Sequence, residues 1–333
     1  MSCRITHAQI NGWRALKLGN GLIEVTTLPE KGADIYEFVD VASGIDVLMK
    51  TPWGLLPPGS APRVASGDDR FLQNYEGAWQ ELLPNTGPAC THGGRYVPLH
   101  GEVATLPWSS RIDRDGSDCA QVSLDVHCQV PPLALTRRMR VCADAPVLTI
   151  EETVRNRSDR PVQFVWGHHP VLGAPFLEAG CLMRVASCTV HTPATPFDPH
   201  NTSYAPGQRA PWPHIRALDG SQVDLRVVPG PAANIHDHAC LSDLDRGWVE
   251  VENPRLRLSF SLEWDPTVFR WINNWRPLGG SHAAPLEGIY GLALEPWVAW
   301  ANLTEAVAAG TALALEPGAS LSTWLKAGLR NVK

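Results

Sequence analysis

The chain has 333 residues, with 28 lysines and arginines against 34 aspartates and glutamates, which gives a net charge of −6. Its hydrophobic content of 44% excludes an intrinsically disordered chain, because disorder requires low hydrophobicity together with high net charge. The acidic balance also argues against nucleic-acid binding, which needs a basic surface. A chain of this length can bury a large core unaided, and we expect residues 1–333 to form a single domain.

The eight cysteines are irregularly spaced and include no Cys-x-x-Cys pair, so a zinc site built from cysteines is not expected. The start of the chain lacks the apolar segment of a secretion signal, and no stretch approaches the roughly 18 apolar residues of a membrane span. We therefore expect a cytoplasmic protein with reduced thiols and no membrane association. The sequence leaves its oligomeric state open.

Proline (29) and glycine (28) are spread along the whole chain, which favours many short strands over long helices. Residues 122–130 alternate between apolar and polar side chains, as a half-buried strand does. Residues 51–70 predict a loop, 71–108 show no helical period, and 303–309 form the one helical stretch. In chain order, strands are predicted at 22–28, 34–39, 45–48, 122–130, 135–141, 148–155, 162–166, 181–190, 222–228, 247–252, 255–264, 290–295, 312–316 and 320–327.

This succession of elements lacks the strand–helix alternation and the glycine-rich phosphate loop of nucleotide-binding folds. It predicts an all-β protein, mostly antiparallel, with few short helices.

Reactive polar side chains are concentrated in segments 70–81, 98–102, 166–170 and 292–297, and more weakly in 234–238. A histidine beside glycine or proline at a strand end is often only a hydrogen-bonded turn residue. Glu295 is more informative, since it ends an apolar strand and precedes a proline. A carboxylate in such surroundings is costly unless it is paired or functional.

Several histidines and one glutamate, with amides and indoles nearby, suit the opening and closing of a cyclic hemiacetal. A base takes the proton of the anomeric hydroxyl while an acid protonates the ring oxygen, and the ring then closes on the other face. Histidine and an environment-tuned glutamate can both work near neutral pH, and no cofactor is needed. The 13 tryptophans include candidates to cover the apolar face of a sugar ring.

The order and context of these motifs resemble the aldose 1-epimerase (galactose mutarotase-like) family over most of the chain. The motifs that carry the resemblance are His100-Gly101 followed by Trp108, His169-Pro170, Asp237-His238, and Glu295 followed by the Pro317-Gly318 turn and a last strand.

The resemblance implies a large antiparallel β-supersandwich and an isomerase that acts on a small-molecule carbohydrate. It implies that His169 is the general acid at the ring oxygen and Glu295 the general base at the anomeric hydroxyl. His100 would orient the substrate, and Asp237 would bind a sugar hydroxyl. Trp297 is a further candidate for substrate binding.

The chain also departs from the galactose enzymes, which carry an Asn-Arg pair in a glycine-rich segment before His-Gly. The corresponding region contains Gln73 and Asn74, and the nearest arginines are Arg70 and Arg95. Gln73, Asn74 and Arg70 are therefore candidate substrate ligands of a divergent member. His168, next to His169, adds an ambiguity, since adjacent strand residues point to opposite faces and only one of the two is expected to face the pocket.

Four alternatives stay open. The substrate can be a phosphorylated or acidic sugar, held by an arginine cluster drawn from Arg70, Arg95 and Arg276. The acid–base pair can act on a carbon-bound proton or a glycosidic linkage. The protein can be a carbohydrate-binding module without catalysis.

The fourth alternative is a metal site, although our preferred interpretation includes no metal. His236 and His238 would lie on one face of a strand, and His100, Glu102 and His169 are further candidate ligands.

Overall fold

The computed structural model describes residues 2–60, 70–282 and 284–332. Across these residues the chain forms mostly antiparallel strands with two short α-helices, α1 (Arg70–Asn74) and α2 (Leu303–Ala308), as the sequence predicts. No described helix is long and apolar enough to cross a membrane. The strands are β1 (Arg4–Ile10), β2 (Trp13–Gly19), β3 (Ile23–Leu28), β4 (Asp34–Asp40), β5 (Ile45–Asp46), β6 (Trp79–Leu82), β7 (Cys90–His92), β8 (Arg95–Val97), β9 (Ser109–Asp115), β10 (Cys119–His127), β11 (Leu133–Cys142), β12 (Val147–Asn156), β13 (Val162–Phe164), β14 (Gly167–Gly173), β15 (Leu182–Val185), β16 (Thr189–His191), β17 (Arg209–Pro211), β18 (His214–Arg216), β19 (Gln222–Asp224), β20 (Ile235–Ser242), β21 (Trp248–Asn253), β22 (Leu258–Trp264), β23 (Trp271–Leu278), β24 (Gly291–Ala293), β25 (Glu295–Trp297), β26 (Leu313–Leu315) and β27 (Ser320–Asn331).

Two sheets carry most of these strands. The larger, thirteen-stranded sheet has the order β1-β2-β3-β4-β6-β14-β25-β23-β20-β16-β17, with β5 beside β4 and β24 beside β14. The eight-stranded sheet has the order β15-β21-β22-β27-β12-β11-β10-β9. Strands β14, β25, β23 and β20 are thus neighbours near the middle of the larger sheet.

The main core lies between the two sheets and is built by strand alternation. In β11, Leu133, Leu135 and Met139 are buried, whereas Arg138 and Arg140 are exposed. Side chains from both sheets meet in this core, as where Phe38 of β4 packs edge-on against Phe260 of β22, with ring centroids 5.7 Å apart.

A second apolar cluster covers the opposite face of the larger sheet. On β14, Leu172 belongs to the main core while its neighbour Val171 belongs to this second cluster. On β23, Ile272 packs in the main core while Trp275 packs in the second cluster, and Trp297 of β25 joins it there. Because successive strand residues face opposite sides, the centre of the larger sheet has an apolar surface on both faces.

Each predicted strand segment overlaps an observed strand, with differences at the ends, but the sequence did not predict β1, β2, β6–β9, β14, β17, β18, β20 or β23. The segment 181–190 holds two short strands, β15 and β16, in different sheets. Segment 70–81, which shows no regular pattern in the sequence, contains α1 and β6. Of the predicted loop 51–70, the described residues 51–60 contain no helix or strand, and 61–69 lie outside the described residues. The prediction is wrong at Arg70, which begins α1.

The expectation that every thiol is reduced is wrong for Cys119 and Cys142, which form a disulfide. The two residues are directly opposed in the β10–β11 pair, with their Cα atoms 4.1 Å apart. Only strand register brings them together, because 23 residues separate them along the chain. The other six cysteines are free.

Candidate active site

A cavity of about 450 Å³ lies on the face of the larger sheet that carries the second apolar cluster. Strands β14, β20, β23 and β25 form its base. Alternate side chains of β20, β23 and β25 line it, and β14 contributes His169. Its volume lies within the range of pockets that bind small molecules.

The structure separates the two adjacent histidines. In β14, His169 lines the cavity, whereas His168 points to the main core and is fully buried. Strand β14 begins with Gly167 because a larger residue would not fit there: a Cβ on Gly167 would lie 2.5 Å from the Trp297 side chain. The indole of Trp297 therefore packs against bare backbone beside His169.

His169 and Glu295 form a close pair at the base of the cavity, with 3.6 Å between Nε2 of His169 and Oε1 of Glu295. Both carboxylate oxygens of Glu295 and Nδ1 of His169 are buried without a hydrogen-bond partner among the described residues. Buried polar atoms in native proteins are nearly always hydrogen-bonded, so these atoms are free to meet a polar ligand.

Burial raises the pKa of Glu295 well above its ordinary value, although Asn273 and Trp297 act in the opposite direction. Burial, with a smaller effect of His100, lowers the pKa of His169 well below the usual range of histidine. The cavity therefore favours the uncharged form of each group.

His100 reaches the cavity from a tight turn. Both His100 and Gly101 have positive φ, at 59° and 79°. A Cβ at Gly101 would lie 2.3 Å from the carbonyl oxygen of Leu83, which explains why glycine follows the histidine. A non-glycine residue at positive φ is uncommon, and histidine is among the residue types enriched there.

The ring of His100 is oriented by a hydrogen bond from Nδ1 to the carbonyl oxygen of Thr86, at 2.6 Å. Burial lowers the pKa of His100 to about 4, so the ring is neutral at physiological pH and Nε2 is its accepting nitrogen. Its centroid lies 5.3 Å from that of His169. His100 thus offers a hydrogen-bond acceptor beside the His169–Glu295 pair.

Beneath His169, His168 takes part in a buried polar network. Its Nε2 lies 3.0 Å from Glu152 and its Nδ1 lies 3.2 Å from Glu81. The guanidinium of Arg137 bonds to both carboxylates, at 2.8 Å for Glu152. Burial lowers the pKa of His168 to about 4, whereas burial and the neighbouring Glu152 raise the pKa of Glu81 to about 7.

This network is also the one group of acidic and histidine side chains, within the described residues, whose geometry resembles a metal site. Its members are Glu81, Glu152 and His168. The Arg137 guanidinium already donates to both carboxylates, so the cluster is a cross-link between β6, β14 and the smaller sheet. It holds β14 in the register that turns His169 to the cavity.

His236 and His238 line the cavity from β20, on one face of the strand as expected. Nδ1 of His236 lies 2.9 Å from the carboxylate of Asp198, and its Nε2 accepts a hydrogen bond from the Trp275 indole at 2.9 Å. His238 bonds through Nε2 to the side-chain oxygen of Asn273. Both nitrogens of His236 are thus engaged by protein groups, which leaves that ring no free nitrogen for a metal.

The placement of Asp237 requires a correction. Asp237 lies between the two cavity histidines on β20, so its side chain points to the other face of the sheet and does not line the cavity. Its carboxylate accepts hydrogen bonds from the backbone N–H groups of Ser203 and Tyr204, at 2.9 and 3.3 Å, and from the Ser203 hydroxyl. Strand alternation turns Asp237 away from the cavity, and its hydrogen bonds hold residues 203 and 204 in place.

The segment expected to replace the Asn-Arg pair of the galactose enzymes also contributes differently. Arg70 and Asn74 are exposed, and the Asn74 amide donates to the Arg70 carbonyl within α1. Neither they nor Gln73 line the cavity, which receives Phe71, Leu72 and Tyr75 from this segment instead. The helical turn directs its apolar side chains inward.

Of the sequence-predicted residues, the structure brings His100, His169, Glu295 and Trp297 together around the cavity. The cavity residues that sequence reasoning missed include Asn273 and Trp275 on β23, and the aromatic residues Phe71, Tyr75, Phe197 and Trp300. The pattern of segment 271–278 indicates a strand with one aromatic face, since Trp271, Asn273 and Trp275 occupy alternate positions.

Known structures share this architecture. A protein of Klebsiella pneumoniae whose aldose 1-epimerase assignment is provisional superposes with a TM-score of 0.74 at 15% identity, covering 98% of this chain and 83% of its own. A Synechocystis protein gives a TM-score of 0.67 at 16% identity, with 98% and 96% covered. A galactose mutarotase-like protein of Lactobacillus casei gives 0.59 at 15% identity, with 95% and 100% covered. At these identities the likeness establishes the fold.

A comparison with curated proteins gives no match. A family model matches residues 10–329, nearly the whole chain, and its description is a domain of unknown function, DUF4432. The chain therefore belongs to the DUF4432 family.

Proposed function

We propose that this protein is an isomerase of the aldose 1-epimerase type, which interconverts the α and β anomers of a sugar, and that the whole chain serves as one catalytic unit. The observation that carries the proposal is the buried His169–Glu295 pair, 3.6 Å apart and without another hydrogen bond of ordinary geometry, at the base of a cavity of about 450 Å³. The shared fold with mutarotase-like proteins supports it.

The protonation of the pair fits this chemistry. Burial favours the uncharged form of both groups, and therefore a state in which the pair shares a single titratable proton. A bound sugar donates a hydrogen bond from its anomeric hydroxyl to Glu295 and accepts one at its ring oxygen from His169. Both hydrogen bonds stabilise the state in which the shared proton lies on His169 and Glu295 is ionised. The pair then offers a base and an acid to the two oxygens of the hemiacetal.

Ring opening moves two protons and breaks one bond. Glu295 takes the proton of the anomeric hydroxyl, His169 gives its proton to the ring oxygen, and the C1–O5 electron pair remains on that oxygen. The aldehyde rotates about C1–C2, and the reverse transfers close the ring on its other face. His100 accepts a hydrogen bond from a neighbouring hydroxyl, and Trp297 contacts the apolar face of the ring.

The electrostatics of the cavity favour a neutral sugar over a phosphorylated or acidic one. Among the described residues that line it, there are two carboxylates, Glu295 and Glu305, and no lysine or arginine. Of the three arginines considered for an anion, Arg70 and Arg95 are exposed outside the cavity. Arg276 is buried on the other face of β23, where it bonds to the Tyr204 hydroxyl at 2.9 Å.

Proton exchange NMR on equilibrated free sugars tests the proposal, with Glu295→Gln, His169→Gln and a control. The wild type should accelerate exchange between α and β anomeric signals. Each variant should lose about 100-fold or more, the usual size of a general acid or base contribution. Glu305→Gln is the matched control, because it changes a carboxylate at the rim while a glutamine still serves the capping box of α2.

Exchange that is accelerated equally by wild type and Glu295→Gln would contradict the assignment of the base. No acceleration of any sugar by the folded wild type would contradict the proposed function, and calorimetric binding of the same sugars would then support a non-catalytic carbohydrate-binding protein.

A further inference from the structure

The cavity has two halves of different chemistry. The catalytic half holds His100, His169, Glu295 and Trp297. There, Nδ1 of His169, both oxygens of Glu295 and Nε1 of Trp297 are buried without a partner among the described residues. These atoms are available to hydroxyl groups and to the ring oxygen of a sugar.

The other half, which we call the aromatic half, consists of Phe197, His236, His238, Trp275 and Trp300. Its rings form a continuous wall: the centroid of Phe197 lies 5.0 Å from those of His236 and His238, and His238 lies 5.8 Å from Trp300. Trp275 joins the two halves, at 6.0 Å from both His236 and His169.

The polar atoms of this wall are largely used by the protein itself. The indole N–H of Trp275 donates to Nε2 of His236, and Nδ1 of His236 bonds to Asp198. Nε2 of His238 bonds to Asn273. What these side chains present to a ligand is therefore mainly ring faces and edges.

A hydroxyl that leaves water for such a surface loses its hydrogen bonds without replacement, which costs about 1–3 kcal/mol by mutational measures. An alkyl or aryl group placed there gains free energy instead, in proportion to the apolar area removed from water. The aromatic half therefore discriminates in favour of an apolar group.

We propose that the aromatic half is a subsite for an apolar substituent, alkyl or aryl, carried by the sugar on the side opposite its anomeric carbon. This inference rests on the proposed function for its orientation. With the C1–O5 bond at His169 and Glu295, the opposite edge of a pyranose ring is C3–C4, which then points to the aromatic half. The preferred substrate is a sugar that is polar at its reducing end and apolar at C3 or C4.

The experiment compares three ligands by isothermal titration calorimetry and by anomeric exchange NMR: glucose, 4-O-butylglucose and cellobiose. The butyl ether should bind at least about tenfold more tightly than glucose, as expected for even one well-placed methylene group. Cellobiose carries a bulky but hydroxylated group at the same position and should bind no more tightly than glucose. A butyl ether that binds no better than glucose, or a cellobiose that binds as well as the ether, would overturn the subsite.

Phe197→Ala provides the variant, because Phe197 is 42% exposed at the cavity wall and its removal should spare the fold. It should weaken binding of the butyl ether about tenfold and leave glucose within about twofold. Trp324→Ala, which removes an exposed aromatic residue of β27 in the smaller sheet, is the matched control and should change neither. Equal losses for both ligands in Phe197→Ala would contradict the subsite.

Calorimetry distinguishes a failure of the subsite from a failure of the proposed function. If NMR shows no exchange for any ligand while the butyl ether still binds selectively, the anomerase proposal fails and the subsite stands. If exchange is accelerated for glucose and the ether alike with equal affinity, the anomerase stands and the subsite fails.

Discussion

Replacing Arg137 by methionine should lower the free energy of unfolding by about 3–5 kcal/mol, because removing one partner of a buried ion pair leaves buried charge uncompensated. Arg137 is 1% exposed, and its guanidinium bonds to Glu81, to Glu152 and, at 2.9 Å, to the carbonyl of Ala33. Methionine retains much of the apolar stem, so the loss of charge and hydrogen bonds dominates the effect. A loss of this size is a large part of the 5–15 kcal/mol that stabilises a typical domain.

The deficit should grow as the pH rises. Burial and Glu152 already raise the pKa of Glu81 to about 7, and loss of the guanidinium removes an interaction that lowers it. A carboxyl group whose folded-state pKa is raised contributes stability below its unfolded pKa, and that stability is lost as the pH rises through the folded pKa. The variant should therefore be closer to wild type at about pH 5 than at about pH 8.

Urea unfolding followed by tryptophan fluorescence at both pH values measures this effect, provided the transition is a single cooperative step. Arg138→Met is the matched control, since the next side chain in β11 is exposed on the outer face of the same strand. It should cost less than about 1 kcal/mol. A loss below about 1 kcal/mol in Arg137→Met, or one that shrinks towards alkaline pH, would refute the reasoning.

Two further predictions concern the site. The kcat/KM for anomer exchange should stay near its plateau at pH 6, because burial lowers the pKa of His169 well below its usual range and that of His100 to about 4. A fall in kcat/KM centred near pH 6.5, the ordinary pKa of histidine, would contradict the lowered pKa of these two residues. The rate should fall on the alkaline side as the pair loses its single proton from Glu295, whose pKa is raised. Asp237→Asn should reduce the free energy of unfolding by about 1.5–3 kcal/mol, because it weakens the hydrogen bonds from Ser203 and Tyr204. It should leave the KM unchanged. A raised KM at full stability would instead assign Asp237 to sugar binding.

Local pattern was sufficient to predict the fold class and just over half of the strands, but not the cavity strands β14, β20 and β23. Alternation in segments such as 122–130 and the frequency of proline and glycine are one-dimensional signals, and they correspond to β10 and its neighbours. The short helix near residue 303 was likewise visible, and Asn302 with Glu305 forms its capping box.

The core of the site was also within reach of the sequence. His100 before Gly101 indicates a turn, and both residues have positive φ in the structure. Glu295 follows an apolar run, which marks it as a carboxyl group in dry surroundings. Such residues are conspicuous because they break a local rule of burial or conformation.

Other features depend on which face of a strand meets which neighbour. His168 and His169 are equivalent in a sequence pattern, but one hydrogen-bonds to Glu152 in the core and the other reaches the cavity. Asp237 and His238 differ in the same way. Strand alternation predicts that their side chains point to opposite faces of the sheet, but it does not say which of them faces the cavity.

The amino-acid sequence by itself determined the β architecture and the positions of just over half of the strands, because these follow from local periodicity. It also marked Glu295 through the cost of a carboxylate in apolar surroundings, whereas the pairing of His169 with Glu295 was implied only by the family resemblance. Only the tertiary structure decided the Cys119–Cys142 bridge, the Arg137 network and the aromatic half of the cavity. Each of these joins segments far apart in the chain, and the sheet order and register that bring such segments into contact are set by the packing of the whole fold.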